Sequence, residues 1–481
     1  MKQPSLAISL IPVVLLIGML SGSIVIFGDE MLSGPSQIVL VFTTAVIIAI
    51  SRIGYKTSWE QFENCMITNI ANCFPSILIL FMMGAICSAW MHSGIIPTMI
   101  YYGLEVISVK WFLVTACIIS SLVSLCIGSS WTTIATIGVG LMAIGQTLGL
   151  HHGWVAGAII SGAYFGDKMS PLSETTNLAS TMAGVKLFDH IRNMLRTTVP
   201  SIAITLLIFM FAGLLNDNNA VMQMESVEQT QQELKQVFCI SPWLLLVPAG
   251  LFYLLKRGVT AVVVLFFGAL VAAVIMPIFN PGVVEYIVGH HLTGFKDCFE
   301  SSMRVVGCSV SYDTGSSVIN ELVSTNGMGG LLNTIWLIIC SMCFGGAMEA
   351  SGMLGKITDS LLIMMKGRFA TVVTTSASSL FVNLTTGDQS LAIILPAKMY
   401  GEAYSKQQLK PSLLSRTVED SGTVTSVLIP WNSCGMAQST VLGVATVAYA
   451  PYCFFCWISP IMTMIFALLH DKVKKIMKLN K

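Results

Sequence analysis

The sequence predicts an all-α polytopic membrane protein: an inverted-repeat architecture of about 11 to 13 membrane segments, half-helices counted separately, some of them broken or re-entrant. Three observations predict it. Of 481 residues, 54% are hydrophobic and only 10% charged, and the mean hydropathy is +0.78, whereas a soluble chain is about one quarter charged. Apolar windows long enough to cross about 30 Å of hydrocarbon recur along the chain. Polar, helix-breaking segments also occur twice in matching order. GSSWTTIATIGVGLM at 128–142 is answered by GDQSLAIILPAKMY at 387–400, and Ser93-Gly94 by Ser351-Gly352 at nearly the same separation.

The first repeat, residues 1–215, opens with apolar stretches at 6–26 and 36–51, which carry no intramembrane charge and suit a scaffold. The first is long for a signal peptide, and Ser21, Gly22 and Ser23 lead into apolar Ile24 to Phe27, so it reads as a membrane helix. Windows at 70–91, 111–127 and 198–215 are long enough to cross, while 132–148 and 153–165 are shorter or broken; the core motifs of this half lie within 84–181. A connector at 216–240 leads to the second repeat, 241–470. That half has scaffold stretches at 241–255 and 259–280, a span at 330–348, broken stretches at 370–386 and 391–400, and a long apolar run at 442–469. Its core motifs lie within 345–435. Residues 304–326, with Asp313, Gly315 and Glu321, are too polar to face lipid and read as a re-entrant or surface helix.

Charge placement orients the halves. The tail at 471–481 carries Lys472, Lys474, Lys475, Lys478 and Lys481, which the positive-inside bias assigns to the cytoplasm. Lys2, the Arg52 to Lys56 turn, the Lys186/Arg192/Arg196 cluster and the Lys256-Arg257 hairpin read the same way. The connector sets Asp217, Glu225, Glu228 and Glu233 against Lys235 alone and reads as external. The helix at 6–26 then runs outward and its counterpart at 241–255 inward, so the repeats are inverted.

Several function classes drop out. The net charge is +1 with no basic stripe able to neutralise phosphates, so nucleic acid is not a partner. Thirteen cysteines are scattered along apolar helices, and the pairs Cys340/Cys343 and Cys453/Cys456 have no His or polar loop beside them, so they read as packing rather than zinc ligands. No cofactor is expected. HExxH and GxSxG are absent, and GMLGKITD at 352–359 lacks the P-loop spacing, so the chain does not read as an enzyme.

What remains is the polar breaks. A broken helix strands backbone groups that lipid cannot satisfy, so breaks survive only against protein or a wet cavity. Matched breaks in two halves are the mark of a secondary transporter with its site where the halves meet. Asp167 and Asp420 are the sharpest candidates, because an intramembrane carboxylate costs about 2.5 to 3.5 kcal/mol on translocon scales and needs a task. Ser170, Ser173, Thr175, Thr176 and Asn177 follow the first; Ser421, Thr423, Thr425, Ser426 and Asn432 follow the second. Such oxygens suit a hard cation, and a carboxylate that binds Na+ can bind H+ instead, so the two compete. The bland alternative is an ion pair that locks the broken helices, with Lys168 beside Asp167 and Arg416 one turn before Asp420. Glu174 and Asp388 come next. Asp388 takes the place of Ser129 in the other half and also reads as an N-cap for the half-helix beginning at Gln389. Helix N-termini after Gly128 and Gly387 leave room for an anionic substrate group.

At GSSWTT, GDKMSPLSETTNLAS, TGDQ and EDSGTVTSVLIPWNSCG, in the family's order through both halves, the chain resembles the NhaC family of sodium:proton antiporters within the larger group of inverted-repeat ion transporters. The resemblance covers roughly residues 10–465. It implies an ion site of Ser129, Thr132, Asp167, Ser170, Thr175, Asn177, Asp388, Gln389, Asp420, Thr423 and Asn432, to which the residue reading adds Glu174. Asp167, Asp388 and Asp420 would be the carboxylate ligands for Na+. The expected activity is Na+/H+ antiport by an elevator-like movement of the motif-bearing core, in a bacterial inner membrane. Partners are then Na+, H+ and the lipid bilayer, with a homodimer left open. The alternative is a Na+- or H+-coupled carrier or exchanger of a small organic solute, such as a carboxylate of the malate/lactate type or an amino acid.

Overall fold

The computed structural model describes residues 4–27, 34–106, 109–215, 220–315, 320, 323–363 and 365–479. Among these the backbone is helical throughout, apart from turns and one isolated antiparallel bridge between Val310 and Thr325. Seven helices are long and apolar enough to cross a membrane, or nine if two sharply bent pairs each count as one span. The chain is therefore a multi-pass, all-α membrane protein.

The same succession of elements occurs twice. A long helix ends at Ser-Gly (Trp59–His92, then Leu332–Ala350) and a short one follows (Ile95–Val106, then Met353–Leu362). An apolar helix runs into a left-handed glycine (Phe112–Ile127 into Gly128, then Arg368–Thr386 into Gly387), and a capped helix resumes beyond it (Ser130–Thr133, then Gln389–Lys406). Next come the acidic motifs on His152–Met169 and Pro411–Val418, short helices Glu174–Met182 and Ser433–Leu442, and long final helices Leu187–Leu215 and Phe454–Leu479. Leu332–Ala350 and Ala261–Phe279 pack along Trp59–His92, so the two long Ser-Gly helices pack against each other.

One helix pair is set unusually close. Gly162 and Gly166 lie one turn apart on His152–Met169, and a Cβ on either would fall 2.1 Å from the Cys117 carbonyl oxygen or 2.3 Å from that of Ser121. Small residues at this spacing let two membrane helices touch backbone to backbone. Ser124 then reaches across to donate to the Ala163 carbonyl at 2.6 Å. This contact fixes the end of the helix on which Asp167 sits.

Several expectations are corrected. The window at 70–91 extends back to Trp59, because Ser58 caps the helix by accepting from the Gln61 N–H at 3.2 Å, and the window at 198–215 extends back to Leu187. The run at 442–469 is not one continuous helix: Thr446–Tyr452 and Phe454–Leu469 meet at 53°, with Pro451 in the tight turn before the break. The stretch at 241–255 begins as a tight turn, Pro242–Leu245, and the connector before it carries the helix Ala220–Val237, whose end bends by 89° into Pro242–Lys256. Residues 304–315 do not continue as one helix, and residues 316–319, 321 and 322 of the expected segment lie outside the described residues. Arg304 to Gly307 finish Phe295–Gly307, after which Val310 and Thr325 pair through two backbone hydrogen bonds of 2.8 and 2.9 Å. The bridged residues dock on the end of Trp59–His92, where His92 meets the Tyr312 hydroxyl at 3.1 Å and Thr325 Oγ1 at 2.9 Å. Asp313 serves a turn, accepting from the Gly315 N–H, which lowers its pKa. Glu321, Lys2 and Asp217 lie outside the described residues.

Candidate functional site

The first break is built by local chemistry. Gly128 holds φ 77° and Gly387 φ 65°, a conformation that L side chains rarely adopt. Each glycine is followed by a cap. The Ser129 hydroxyl accepts the Thr132 N–H at 3.2 Å, and the Asp388 carboxylate accepts the Leu391 N–H at 2.8 Å. These satisfy donors that a helix start otherwise leaves unpaired. Beyond Ser129 the helix widens into a π turn at Ile134–Gly138 before continuing as Val139–Thr147; a second π turn, Glu419–Thr423, interrupts the acidic motif of the other half. Such wide turns frequently accompany functional sites.

The capped ends of Gln389–Lys406 and Ser433–Leu442 meet the start of Glu174–Met182 at a cavity of about 430 Å³. Ser129, Asp167, Glu174, Thr175, Asp388 and Gln389 all line it, so six of the twelve expected residues share one wall. Asn72 and Ser76 of Trp59–His92 line it as well. Asp167 is held for this position: its Oδ2 accepts both the backbone N–H of Ser130, at 3.0 Å, and the Ser130 hydroxyl, at 2.7 Å. None of Asp167, Glu174 and Asp388 forms an ion pair among the described residues.

The other six expected residues do not line this cavity. Thr132 donates to Ser129 at 3.0 Å and so steadies the cap. The Ser170 hydroxyl accepts the Leu172 N–H in the turn after His152–Met169. Asn177 is exposed and donates to the carbonyls of Pro171 and Ser173. Asn432 caps Ser433–Leu442 and bonds Asn383. Thr423 is fully buried, its carbonyl accepting from Gln389 at 3.2 Å. Asp420 points elsewhere.

A model of the Na+/H+ antiporter family matches residues 162–470. The chain belongs to the Na+/H+ antiporter family. It is 36% identical over 420 residues to the Na+/H+ antiporter NhaC of Alkalihalophilus pseudofirmus, covering 87% of each chain. It is 31% identical to NhaC of Bacillus subtilis, covering 88% of this chain and 90% of that one. The malate-2H+/Na+-lactate antiporter of Bacillus subtilis is 32% identical, with 88% of this chain and 86% of that one covered.

In this antiporter the three aspartates expected as Na+ ligands do not share one cavity: Asp167 and Asp388 line it and Asp420 does not. No three His, Cys, Asp or Glu side chains among the described residues converge closely enough to hold a metal ion. Asp420 instead forms a buried ion pair with Lys168, accepts the Thr197 hydroxyl at 2.9 Å, and has the Arg416 Nε at 3.9 Å. Lys168 also donates to Ser459 at 2.7 Å. The lysine that follows Asp167 in sequence thus pairs with the other half's aspartate. On a helix, neighbours i and i+1 face different ways, so Lys168 turns away from the cavity as Asp167 turns toward it.

Sequence reasoning passed over two residues of the antiporter's core. Ser130 supplies both donors to Asp167, and Glu419 is a fully buried carboxylate that accepts the Thr175 hydroxyl at 3.1 Å. A signal for the second was present: Glu419 stands next to Asp420 in a membrane segment, and an intramembrane acid is a site candidate by default.

Proposed function

We propose that this Na+/H+ antiporter exchanges its ions at the cavity wall made by Asp167, Asp388, Glu174, Ser129, Thr175 and Gln389. One observation carries the reading: three carboxylates share a cavity with hydroxyl and amide oxygens, and no described cation neutralises them. A hard monovalent cation fits that set, taking one carboxylate with several neutral oxygens. A proton satisfies the same carboxylate, so occupancy by one excludes the other and the two fluxes are coupled. Asp167 is the central ligand, because Ser130 already holds its Oδ2 and leaves Oδ1 for the ion.

The cavity also borders Leu255, Gly258 and Thr260, beside the Lys256-Arg257 hairpin. By the positive-inside bias that side is cytoplasmic, and the cavity is the inward-facing access route. The elements that repeat in the two halves are inverted in this reading, and an elevator-like movement of the capped helices against Leu6–Phe27, Pro35–Tyr55 and their counterparts exposes the ion to the other side.

The test is reconstitution. Addition of Na+ to liposomes holding the protein and a pH gradient dissipates the gradient, and Asp167→Asn abolishes that response without changing the yield of folded protein. Sodium-dependent proton flux that survives in Asp167→Asn, or is absent from correctly inserted wild type, defeats the reading. A second reading draws support from the cavity volume, about 430 Å³, which falls in the range of small-molecule pockets. Helix N-termini capped by the neutral Ser129 and Asn432 favour an anionic group, and one relative is a malate-2H+/Na+-lactate antiporter. In that case a small carboxylate added to the same liposomes is taken up only with Na+ present.

A further inference from the structure

Behind the cavity wall lies a pocket of oxygens that the exchange reading leaves unused. Glu419 and Thr423 belong to the π turn Glu419–Thr423, and both are fully buried. Glu419 Oε1 accepts the Thr175 hydroxyl at 3.1 Å, whereas Glu419 Oε2 has no hydrogen-bond partner. Thr423 sets its hydroxyl beside that carboxylate, and Thr423 Oγ1 is also without a partner. Thr175 itself lines the cavity and lies 3.1 Å from the Ser173 hydroxyl.

No described cation pairs with Glu419. Lys168 and Asp167 face this turn from His152–Met169, but Lys168 is committed to Asp420 and Ser459. Arg416, one helical turn before Asp420, approaches that same aspartate. Asn383 from Arg368–Thr386 donates to the Gly422 carbonyl and to Thr425, and is neutral. Burying an ionised carboxylate without a partner is costly, and so is leaving hydroxyl groups dry and unpaired. A proton on Glu419 would answer the first cost only. A small cation answers both, because it draws on the lone pairs of the carboxylate and the hydroxyls together.

We infer that Glu419, Thr423 and Thr175 form a second, inner site for a small alkali cation, Na+ or Li+, entered from the cavity past Thr175. The inference rests on the cavity as the place where ions enter, and adds to it a ligand set that is deeper and distinct from Asp167. Residues 419 and 423 lie four apart along the π turn and share a face, while Asp420, next in the chain, turns away to Lys168. The inner site joins the two halves, since Thr175 and Glu419 lie 244 positions apart.

The experiment is thermal unfolding of the purified full chain across a NaCl series, with choline chloride keeping ionic strength constant and LiCl and KCl as further probes. Glu419→Gln raises the Na+ concentration for half-maximal stabilisation at least tenfold, Thr423→Val raises it several-fold, and Glu419→Asp recovers part of the loss. An unchanged Na+ dependence in Glu419→Gln overturns the inner site; if Asp167→Asn abolishes the dependence in the same series, the cavity reading stands without it. The opposite pattern, loss in Glu419→Gln with Asp167→Asn unaffected, keeps the inner site and removes Asp167 from the exchange. Indifference in both variants, or in wild type, overturns both. Should Glu419→Gln fail to fold, Thr423→Val decides, because it keeps the carboxylate and removes one ligand.

Discussion

Asp167 and Asp420 stand in the polar motifs of the two halves, and the structure gives them opposite surroundings. Asp167 is held by two donors of a single neighbouring serine and lines a cavity. Asp420 is fully buried, paired with Lys168, bonded to Thr197 and approached by Arg416. The first carboxylate has neutral partners and an open side, so an ion can bind or leave with little rearrangement. The second sits between two cations, and drawing it out would strand both in a dry interior. On the proposed function, these two similar motifs are divided between exchange and support: Asp167 faces the cavity, while Asp420 anchors, through Lys168, the helix that carries it.

The largest effect that tests this division is on folding. Asp420→Asn leaves Lys168 and Arg416 buried without a carboxylate, and removal of one partner from a buried pair costs about 3–5 kcal/mol. Folded yield and melting temperature should both fall sharply. Lys168→Met should cost less, because the Arg416 Nε and Nη2 lack hydrogen-bond partners and lie close enough to take over Asp420. The double variant Lys168→Met with Asp420→Asn should recover more than half of the stability lost in Asp420→Asn alone, since one stranded cation is removed. Its Na+-driven proton flux should persist wherever folded protein is recovered. A well-folded double variant with no Na+ dependence would break the comparison and make Asp420 an ion ligand after all.

How much of this was legible depends on the range of the interaction. Apolar windows located the helices, but apolar composition reports compatibility with lipid and not continuity. The polar first turns at Glu60, Gln61 and Glu63 hid the start of Trp59–His92, and the break near Pro451 was masked by the apolar residues around it. Caps were readable, because a cap is a contact over three residues: Asp388 before Gln389 could be named as one from sequence alone. The ion pair was not, because Lys168 and Asp420 are 252 positions apart and their meeting depends on how two half-chains pack. For the same reason a lysine adjacent to Asp167 suggested the wrong partner. The separation of Glu419 from Asp420 onto different faces follows from their adjacency on a helix, but which of the two meets Lys168 depends on the same long-range packing.

A smaller effect sharpens the comparison at the cavity itself, where Asp388 both caps a helix and presents a charge. Asn is as good a cap as Asp. Asp388→Asn should therefore leave the melting temperature in the absence of Na+ nearly unchanged while raising the Na+ concentration needed for half-maximal proton flux. Asp388→Ala should add a loss of about 1 kcal/mol in stability to that change in flux. If Asp388→Asn transports as wild type does, the carboxylate is a cap alone, and Asp167 carries the ion with the neutral oxygens around it.

The smallest effect belongs to the matching cap in the first half. Ser129→Ala removes the acceptor for the Thr132 N–H and the Thr132 hydroxyl, at a cost of about 1 kcal/mol. The charge in the cavity is untouched, so Na+ should still drive proton flux with a somewhat lower melting temperature. Ser129→Asp restores the cap and adds a fourth carboxylate to the wall, making the first half resemble the second. Because the half-helix start favours negative charge, the added acid is tolerated there. Sodium should then reach half-maximal effect at lower concentration, by a few-fold and less at high salt, since an exposed charge is screened. Equal stability losses in Ser129→Ala and Ser129→Asp would show instead that the serine is held by packing and not by its capping bonds.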